Sequence, residues 1–141
     1  MLETTSKLLN RLRNRESGQA FLSQKQTAPT CARILRELLT GANMSAAEWI
    51  TSVNISKSYG YQVLRGERVP GRDIILRTAL ALQLSLKDTQ RLLAVGGCGA
   101  LYPKVRRDAA VIFALNQKMT LMETEELLSS LPERSLFGKE I

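Results

Sequence analysis

The spacing of apolar residues is the feature that most restricts what this chain can fold into. Along most of its 141 residues, apolar side chains recur three or four positions apart, which places them on one face of an α-helix. The alternation of apolar and polar residues that marks a half-buried β-strand is nearly absent. Because 44% of the residues are hydrophobic, the chain can also bury a core. The sequence therefore predicts an all-α fold.

Start and stop signals divide this helical pattern into short helices. Ser45 and Glu48 have the spacing of a capping box, in which each side chain bonds a free amide at the helix start, and the spacing recurs at Thr120. Gly41 and Gly97 are predicted helix stops, since glycine adopts the left-handed conformation at the lowest cost. The predicted helices cover residues 5–15, 31–40, 45–53, 56–65, 72–82, 85–95, 104–117 and 121–131, with a further turn or two within 17–26.

Part of the sequence recurs after 35 residues. The matched pairs are Asp73 and Asp108, Ala79 and Ala114, Leu80 and Leu115, Ser85 and Thr120, Leu86 and Leu121, Asp88 and Glu123, Thr89 and Thr124, Leu92 and Leu127, Leu93 and Leu128, and Leu101 and Leu136. Two copies of one helical hairpin, the second stacked on the first, would explain this spacing. Two unrelated amphipathic hairpins that converged on one pattern are the alternative.

The charge of the chain is strongly basic and unevenly placed. The formal net charge is +7 and the pI is about 9.9. Residues 28–107 carry twelve basic and five acidic groups, whereas residues 108–141 carry three basic and six acidic groups. A basic surface attracts nucleic acid and gains from the release of its counterions. Solubility alone is the other explanation of such a charge.

The chain lacks the residues that several classes of function require. The chain has no histidine, the commonest general base and metal ligand, so we expect neither an enzyme nor a metal site. Cys31 and Cys98 lie far apart and have no zinc-ligand spacing, which favours reduced thiols. No cofactor motif is present, and the glycines of residues 96–99 read as a helix stop and link. Without a signal-like or membrane-length apolar run, the expected location is the cytoplasm and not a membrane.

Residues 45–66 have the layout of a helix-turn-helix. A capped short helix is followed by a three-residue turn, a second helix that Ser56 can cap, and a glycine stop at Gly66. Asn54 lies in the turn, where one residue often adopts the left-handed conformation, which asparagine tolerates well. Ile55 and Val63 are predicted to plug the second helix into the core.

These residues resemble the lambda-repressor-like (Xre/Cro) family of bacterial and phage regulators. The resemblance runs from about Ala32 to Leu93, and its most specific parts are Arg65-Gly66 with Pro70 and the stretch LALQLSL. The resemblance implies a helical bundle with a DNA-binding helix-turn-helix. The family has no counterpart beyond Tyr102, so LYPKVRRDA and the second hairpin point to a less-studied branch. We accordingly predict an added C-terminal helical hairpin.

The sequence departs from the family pattern at functional and packing positions. Where the family usually has a glutamine that helps to hold a phosphate, this chain has Ala46. Where the family usually has a small residue in the first helix, this chain has Ile50. Where the family usually has an isoleucine in the second helix, this chain has Gly60. Since the two positions face each other in the family, the exchange keeps the total volume, as a packed core requires. We interpret it as a variant helix crossing.

The resemblance also implies which residues meet DNA, because the second helix of such motifs enters the major groove. Gln62 can pair with adenine and Lys57 with guanine, while arginines suit the flanking phosphates. The predicted base-reading residues are Ser56, Lys57, Ser58, Tyr61 and Gln62, and the predicted phosphate contacts are Arg65, Arg68 and Arg72. A second basic cluster, Lys104, Arg106 and Arg107, is either a backbone contact or a solvated helix start.

The predicted organisation has three parts: an N-terminal helical extension over residues 1–29, a helix-turn-helix DNA-binding domain over 30–97, and a C-terminal hairpin and tail over 98–141. The favoured function is a transcriptional regulator that reads a specific double-stranded DNA site. The alternative is an adaptor or regulatory subunit that keeps the repressor-like fold without binding DNA. A homodimer, and a protein partner bound through the C-terminal hairpin, are further partners that the sequence leaves open.

Overall fold

The computed structural model describes residues 5–13, 15 and 30–138, and this part of the chain is helical without strands. The predicted turn within 17–26 lies outside the described residues. The observed helices are α1 (Thr5–Arg13), α2 (Cys31–Gly41), α3 (Ala46–Val53), α4 (Lys57–Leu64), α5 (Arg72–Ala81), α6 (Leu86–Val95), α7 (Arg106–Asn116) and α8 (Leu121–Ser130). The prediction of an all-α fold is confirmed.

One type of tight junction joins successive helices at four places. Each junction consists of a left-handed residue, an apolar residue and a Ser or Thr that caps the next helix. The four junctions are 43–45, 54–56, 83–85 and 118–120. The apolar residue donates its amide to the carbonyl five residues back, as Met44 does to Leu39 over 3.0 Å. Gly41 was predicted to be the left-handed stop and this is wrong, because α2 includes Gly41 and Asn43 takes that conformation, with φ 55°.

The core is centred on the contact between α3 and α5. Trp49 is fully buried there, and its indole Nε1 donates to the hydroxyl of Thr78 over 2.9 Å. This bond gives the polar edge of a buried tryptophan the partner that it needs. One cluster of buried side chains extends from Cys31 to Leu136, so the packing is continuous across position 97.

The 35-residue recurrence corresponds to a reciprocal exchange of ion pairs. Arg72 donates to both carboxylate oxygens of Asp108, at 3.1 and 2.9 Å, while Arg107 donates to both oxygens of Asp73, at 3.0 and 3.1 Å. Each arginine also donates to carbonyls at matched positions, 99 and 100 for the first copy and 134 and 135 for the second. This matched set of partners favours two copies of one hairpin over two unrelated hairpins.

The exchange also defines how the copies are arranged. Gln83 donates its side-chain amide to the carbonyl of Lys118, and Lys118 donates its ammonium to the carbonyl of Gln83. Helix α5 packs against α8, and α6 packs against α7 in the equivalent manner. Because these contacts have mirrors after the copies are exchanged, the hairpins are related by an approximate two-fold axis. The sequence predicted that the second hairpin stacks on the first, but it did not specify this two-fold relation.

We predict that the two equivalent aspartates depend to different degrees on their arginines. The Asp108 side chain is 8% exposed and that of Asp73 is 26% exposed, so Asp108 is the costlier carboxylate to leave unpaired. Arg72→Met should lower the free energy of unfolding by about 2–4 kcal/mol. Arg107→Met should lower it by about 1–2 kcal/mol.

Urea denaturation followed by circular dichroism measures both values. The exposed Glu126→Gln variant serves as the control and should stay within about 0.5 kcal/mol of the unmodified chain. An equal or larger loss for Arg107→Met would contradict the argument from burial.

Candidate nucleic-acid interface

The candidate interface is formed by α3, the junction 54–56 and α4. Ser45 accepts from the amide of Glu48, and the Glu48 carboxylate accepts from the amide of Ser45, which completes the predicted capping box. This hydrogen bond holds the pKa of Glu48 below its ordinary value. Asn54 has φ 56°, as predicted, and Ser56 caps α4 by accepting from the amide of Tyr59 at 3.1 Å. The sequence signals thus correctly place both helices and their turn.

The crossing of α3 and α4 depends on Gly60, because a larger residue at this position would collide with α3. A Cβ atom added to Gly60 would lie 2.4 Å from Cγ1 and 2.6 Å from Cδ1 of Ile50. Separations this short do not occur between carbon atoms in folded proteins, so Ile50 occupies the space that a side chain at position 60 would fill. The predicted opposition of Ile50 and Gly60 is therefore confirmed.

Two further contacts hold the C-terminal end of α4. Val63 is fully buried, and Arg36 from α2 donates to the carbonyl of Leu64. The helix ends at Leu64, and the φ of 81° at Gly66 allows the amide of Glu67 to return to the carbonyl of Gln62 over 2.9 Å. Helix α4 is thus fastened at both ends and along its inner face.

The predicted base-reading residues divide into an exposed and a half-buried group. Ser56, Lys57 and Ser58 are exposed at the start of α4, whereas Tyr61 and Gln62 are half-buried one turn later. The hydroxyl of Ser56 is engaged in capping, and the ring of Tyr61 packs against the core. The side chains of Lys57, Ser58 and Gln62 make no hydrogen bond or ion pair with any described residue.

The predicted phosphate contacts have three different environments. Arg68 is exposed and forms no ion pair with any described residue, whereas Arg65 is exposed but paired with Glu67. This hydrogen bond raises the pKa of Arg65 and lowers that of Glu67, and both side chains are exposed. Arg72 was predicted to contact phosphate, and this is wrong. Its guanidinium binds Asp108 and two carbonyls, so it holds the second hairpin in place.

The fold also reduces the number of surface charges in the second basic cluster, Lys104, Arg106 and Arg107. Arg107 is buried and paired with Asp73, so it cannot serve as a free surface cation. Arg106 stays mostly exposed, with a long contact of 4.0 Å to Glu133. Lys104 is exposed as well. The cluster therefore offers two surface charges where the sequence suggested three.

Arg77 is an internal contact that the sequence analysis did not identify. The residue is buried, donates from Nη1 to the carbonyl of Leu136 at 2.9 Å, and lies 4.7 Å from the centre of the Phe137 ring. Its Nε has no hydrogen-bond partner. The one sequence signal was an arginine in the middle of the most apolar predicted helix, and helical spacing alone does not separate a buried arginine from an exposed one.

The electrostatics of Arg77 follow from its burial beside the C-terminal tail. Burial lowers the pKa of the Arg77 guanidinium, and the nearby Asp73 and Glu125 partly offset this effect. The cation packs against Leu136 and Phe137 of the tail that follows α8.

Other kinds of site are not formed by the described residues. Within 5–13, 15 and 30–138, no group of His, Cys, Asp or Glu side chains is arranged to hold a metal ion. In the same part of the chain, every helix is too short or too polar to span a bilayer. Comparison with known proteins adds no assignment, because the chain matches no family model, no curated protein and no solved structure.

We predict that the fit between Gly60 and Ile50 can be tested by a double-mutant cycle. Gly60→Ala should destabilise the protein by about 1–3 kcal/mol, because overpacking outweighs the gain of about 1 kcal/mol in helix propensity. Ile50→Ala should cost about 2–4 kcal/mol through the cavity that it leaves. The double variant should be more stable than the sum of the two effects implies, by at least about 1 kcal/mol.

Gly41→Ala is the matched control, since nothing lies within 4 Å of a Cβ at that helical position. It should be neutral or slightly stabilising when all variants are compared by urea denaturation. Additive effects in the double variant would show that the two residues do not share one space.

Proposed function

We propose that the protein is a sequence-specific double-stranded DNA-binding regulator that reads the major groove with α4. The observation that carries the proposal is the outer side of this helix. Lys57, Ser58 and Gln62 present polar groups that have no partner among the described residues, on a helix fastened at both ends. A surface that contributes so little to its own fold is suited to a ligand with many donors and acceptors. The edges of base pairs are such a ligand.

The chemistry of these side chains fits base recognition. Gln62 can donate to and accept from adenine N7 and N6, Lys57 can donate to guanine O6 and N7, and the hydroxyl of Ser58 can do either. The first turn of a recognition helix points its residues at the base edges, which suits the exposed position of Lys57 and Ser58. We assign Tyr61 and Ser56 mainly to positioning the helix, because the first packs inward and the second caps the helix.

Affinity for the phosphate backbone of DNA would come from the segment that follows α4. Arg68 is the arginine best placed for a phosphate, since it is exposed and unpaired among the described residues. Arg65 can join it by exchanging its surface pair with Glu67 for a phosphate oxygen. Arg72 has no part in this surface, as its donors are engaged within the protein.

An adaptor that binds another protein is the second candidate, and one observation favours it. Met122 and Phe137 on the C-terminal hairpin expose apolar surface that a DNA reader does not require. Ala46 also lacks the polar group with which related motifs hold a phosphate. An electrophoretic shift against random duplex at low salt separates the two functions, since an adaptor should give little retardation.

We expect the affinity for DNA to fall steeply with salt. Lysines and arginines that bind phosphates displace condensed counterions, so the logarithm of the affinity should decrease linearly with the logarithm of salt concentration. Fluorescence anisotropy with a labelled duplex at several salt concentrations measures this slope. An affinity that stays flat between low and physiological salt would count against DNA binding.

Base reading and phosphate binding should separate at two positions. Gln62→Ala should weaken binding to the cognate site by about 1–3 kcal/mol and leave binding to random duplex nearly unchanged. Arg68→Ala should weaken both and make the salt slope shallower by about one unit, because a phosphate contact carries no sequence information. The cognate site for this comparison is first selected from a pool of random duplexes.

Lys87→Ala is the matched control, as it removes an exposed charge from α6, outside the interface. All three variants should have the circular dichroism spectrum of the unmodified chain, because none of the positions is buried. The assignment of roles is wrong if Arg68→Ala changes the ratio of cognate to random affinity while Gln62→Ala does not. If neither variant alters binding to any DNA, the adaptor function replaces the proposal.

A further inference from the structure

The carbonyl groups at the C-terminal end of α4 all have hydrogen-bond partners, and one of these partners comes from another helix. The carbonyls of residues 61–63 accept from amides at positions 65–67, in the chain that directly follows the helix. The last carbonyl, that of Leu64, accepts from the guanidinium of Arg36 on α2. The end of α4 is therefore tied to α2 by a side chain 28 positions earlier in the chain.

Helix α2 also packs against the turn that follows α4. Ala32 is buried and lies one helical turn before Arg36, so both residues are on the same side of α2. The Cβ of Ala32 is 3.8 Å from the position that a Cβ at Gly66 would occupy. The bond from Arg36 thus forms beside a packed contact, and the two together determine where the end of α4 lies on α2.

The charge of Arg36 suits this position. The free carbonyls at a helix C-terminus carry a partial negative charge, so a hydrogen bond from a guanidinium is stronger there than one from a neutral donor. The last turn of α4 contains no basic residue of its own. Arg65 follows the helix directly, but it is paired with Glu67. Helix α2 therefore supplies the positive charge that bonds the last carbonyl of α4.

We propose that Arg36 is a positioning residue for base recognition, which holds the last turn of α4 so that Gln62 meets its base pair. The inference rests on the proposed function and deepens it, since it names a residue outside 45–66 on which the specificity of that surface depends. Gln62 lies in the same turn as Leu64, two positions before it. A hydrogen bond to a base edge requires a narrow range of distance and angle, so a shift of this turn weakens base reading. Phosphate contacts carry no sequence information, so the shift should reduce specificity more than affinity for random DNA.

The first measurement is amide hydrogen exchange of the full chain without DNA. The amides of Gly66 and Glu67 bond the carbonyls at the end of α4, so their exchange rates report how often this end opens. Arg36→Met keeps an apolar stem of similar length and removes the donors. It should speed exchange at both amides about five-fold or more, because opening no longer breaks a charged hydrogen bond. Unchanged exchange at these amides overturns the proposal.

Arg33→Met is the matched control. Arg33 lies on the same helix, its side chain is 42% exposed, and it pairs with Glu37 of α2 instead of bonding α4. This variant should leave exchange at the end of α4 and binding to every duplex unchanged. Arg36 is exposed as well, so both variants should have the circular dichroism spectrum of the unmodified chain.

The second measurement compares the affinities for the selected cognate duplex and for random duplex at several salt concentrations. Arg36→Met should weaken cognate binding about ten-fold and random binding less than about two-fold, with the salt slope unchanged. If Arg36 bound a phosphate instead, both affinities would fall alike and the slope would become shallower by about one unit. That result overturns the proposal, and so does an unchanged ratio of cognate to random affinity.

A double variant shows whether Arg36 acts through Gln62. In a Gln62→Ala background, Arg36→Met should weaken cognate binding less than about two-fold, because the base contact that it positions is already absent. Losses that multiply in the double variant overturn the proposal. Failure of the proposed function gives a different result, in which the unmodified chain shows no salt-dependent binding to any duplex, and the role of Arg36 in base recognition is then overturned with it. Failure of the positioning role alone leaves that binding intact.

Discussion

The exchanged ion pairs between Arg72 and Asp108 and between Arg107 and Asp73 are the contacts on which the rest of the structure depends. Each arginine also binds two carbonyls of the loop that follows its own hairpin. Each arginine thereby holds the loop after its own hairpin and also binds the aspartate of the other hairpin. Because α5 is also the helix on which α3 packs through Trp49 and Thr78, the second hairpin and the candidate interface share one support.

The predicted helix limits fall within two residues of the observed ones because capping is local chemistry. Ser45, Asn54 and Ser56 act through bonds to residues a few positions away, so their roles can be deduced from neighbouring letters. The Gly60 and Ile50 contact was predicted through a family resemblance and not from spacing. The two-fold arrangement of the hairpins was missed, since recurrence in sequence specifies two similar units but not the operation that relates them.

The candidate site was predicted less completely than the fold, and charge explains the difference. Exposed and paired arginines look the same in a sequence, whereas their function depends on partners that are distant in the chain. Arg72 meets a carboxylate 36 positions away, and Arg77 meets a carbonyl 59 positions away. Neither contact has a local signal, so the prediction for Arg72 was wrong and Arg77 was not considered. Lys57 and Gln62 make no such distant contact with described residues, so their proposed roles are unaffected.

The internal arginines also change how the net charge of the chain should be interpreted. Arg72 and Arg107 are neutralised by aspartates, and Arg77 lies buried beside Asp73 and Glu125. The basic excess of residues 28–107 is consequently not spread evenly over the surface. Lys57, Arg65 and Arg68 are exposed on α4 and the turn after it. An overall charge of +7 therefore says little about a partner by itself, because several of the cations that contribute to it are paired or buried within the fold.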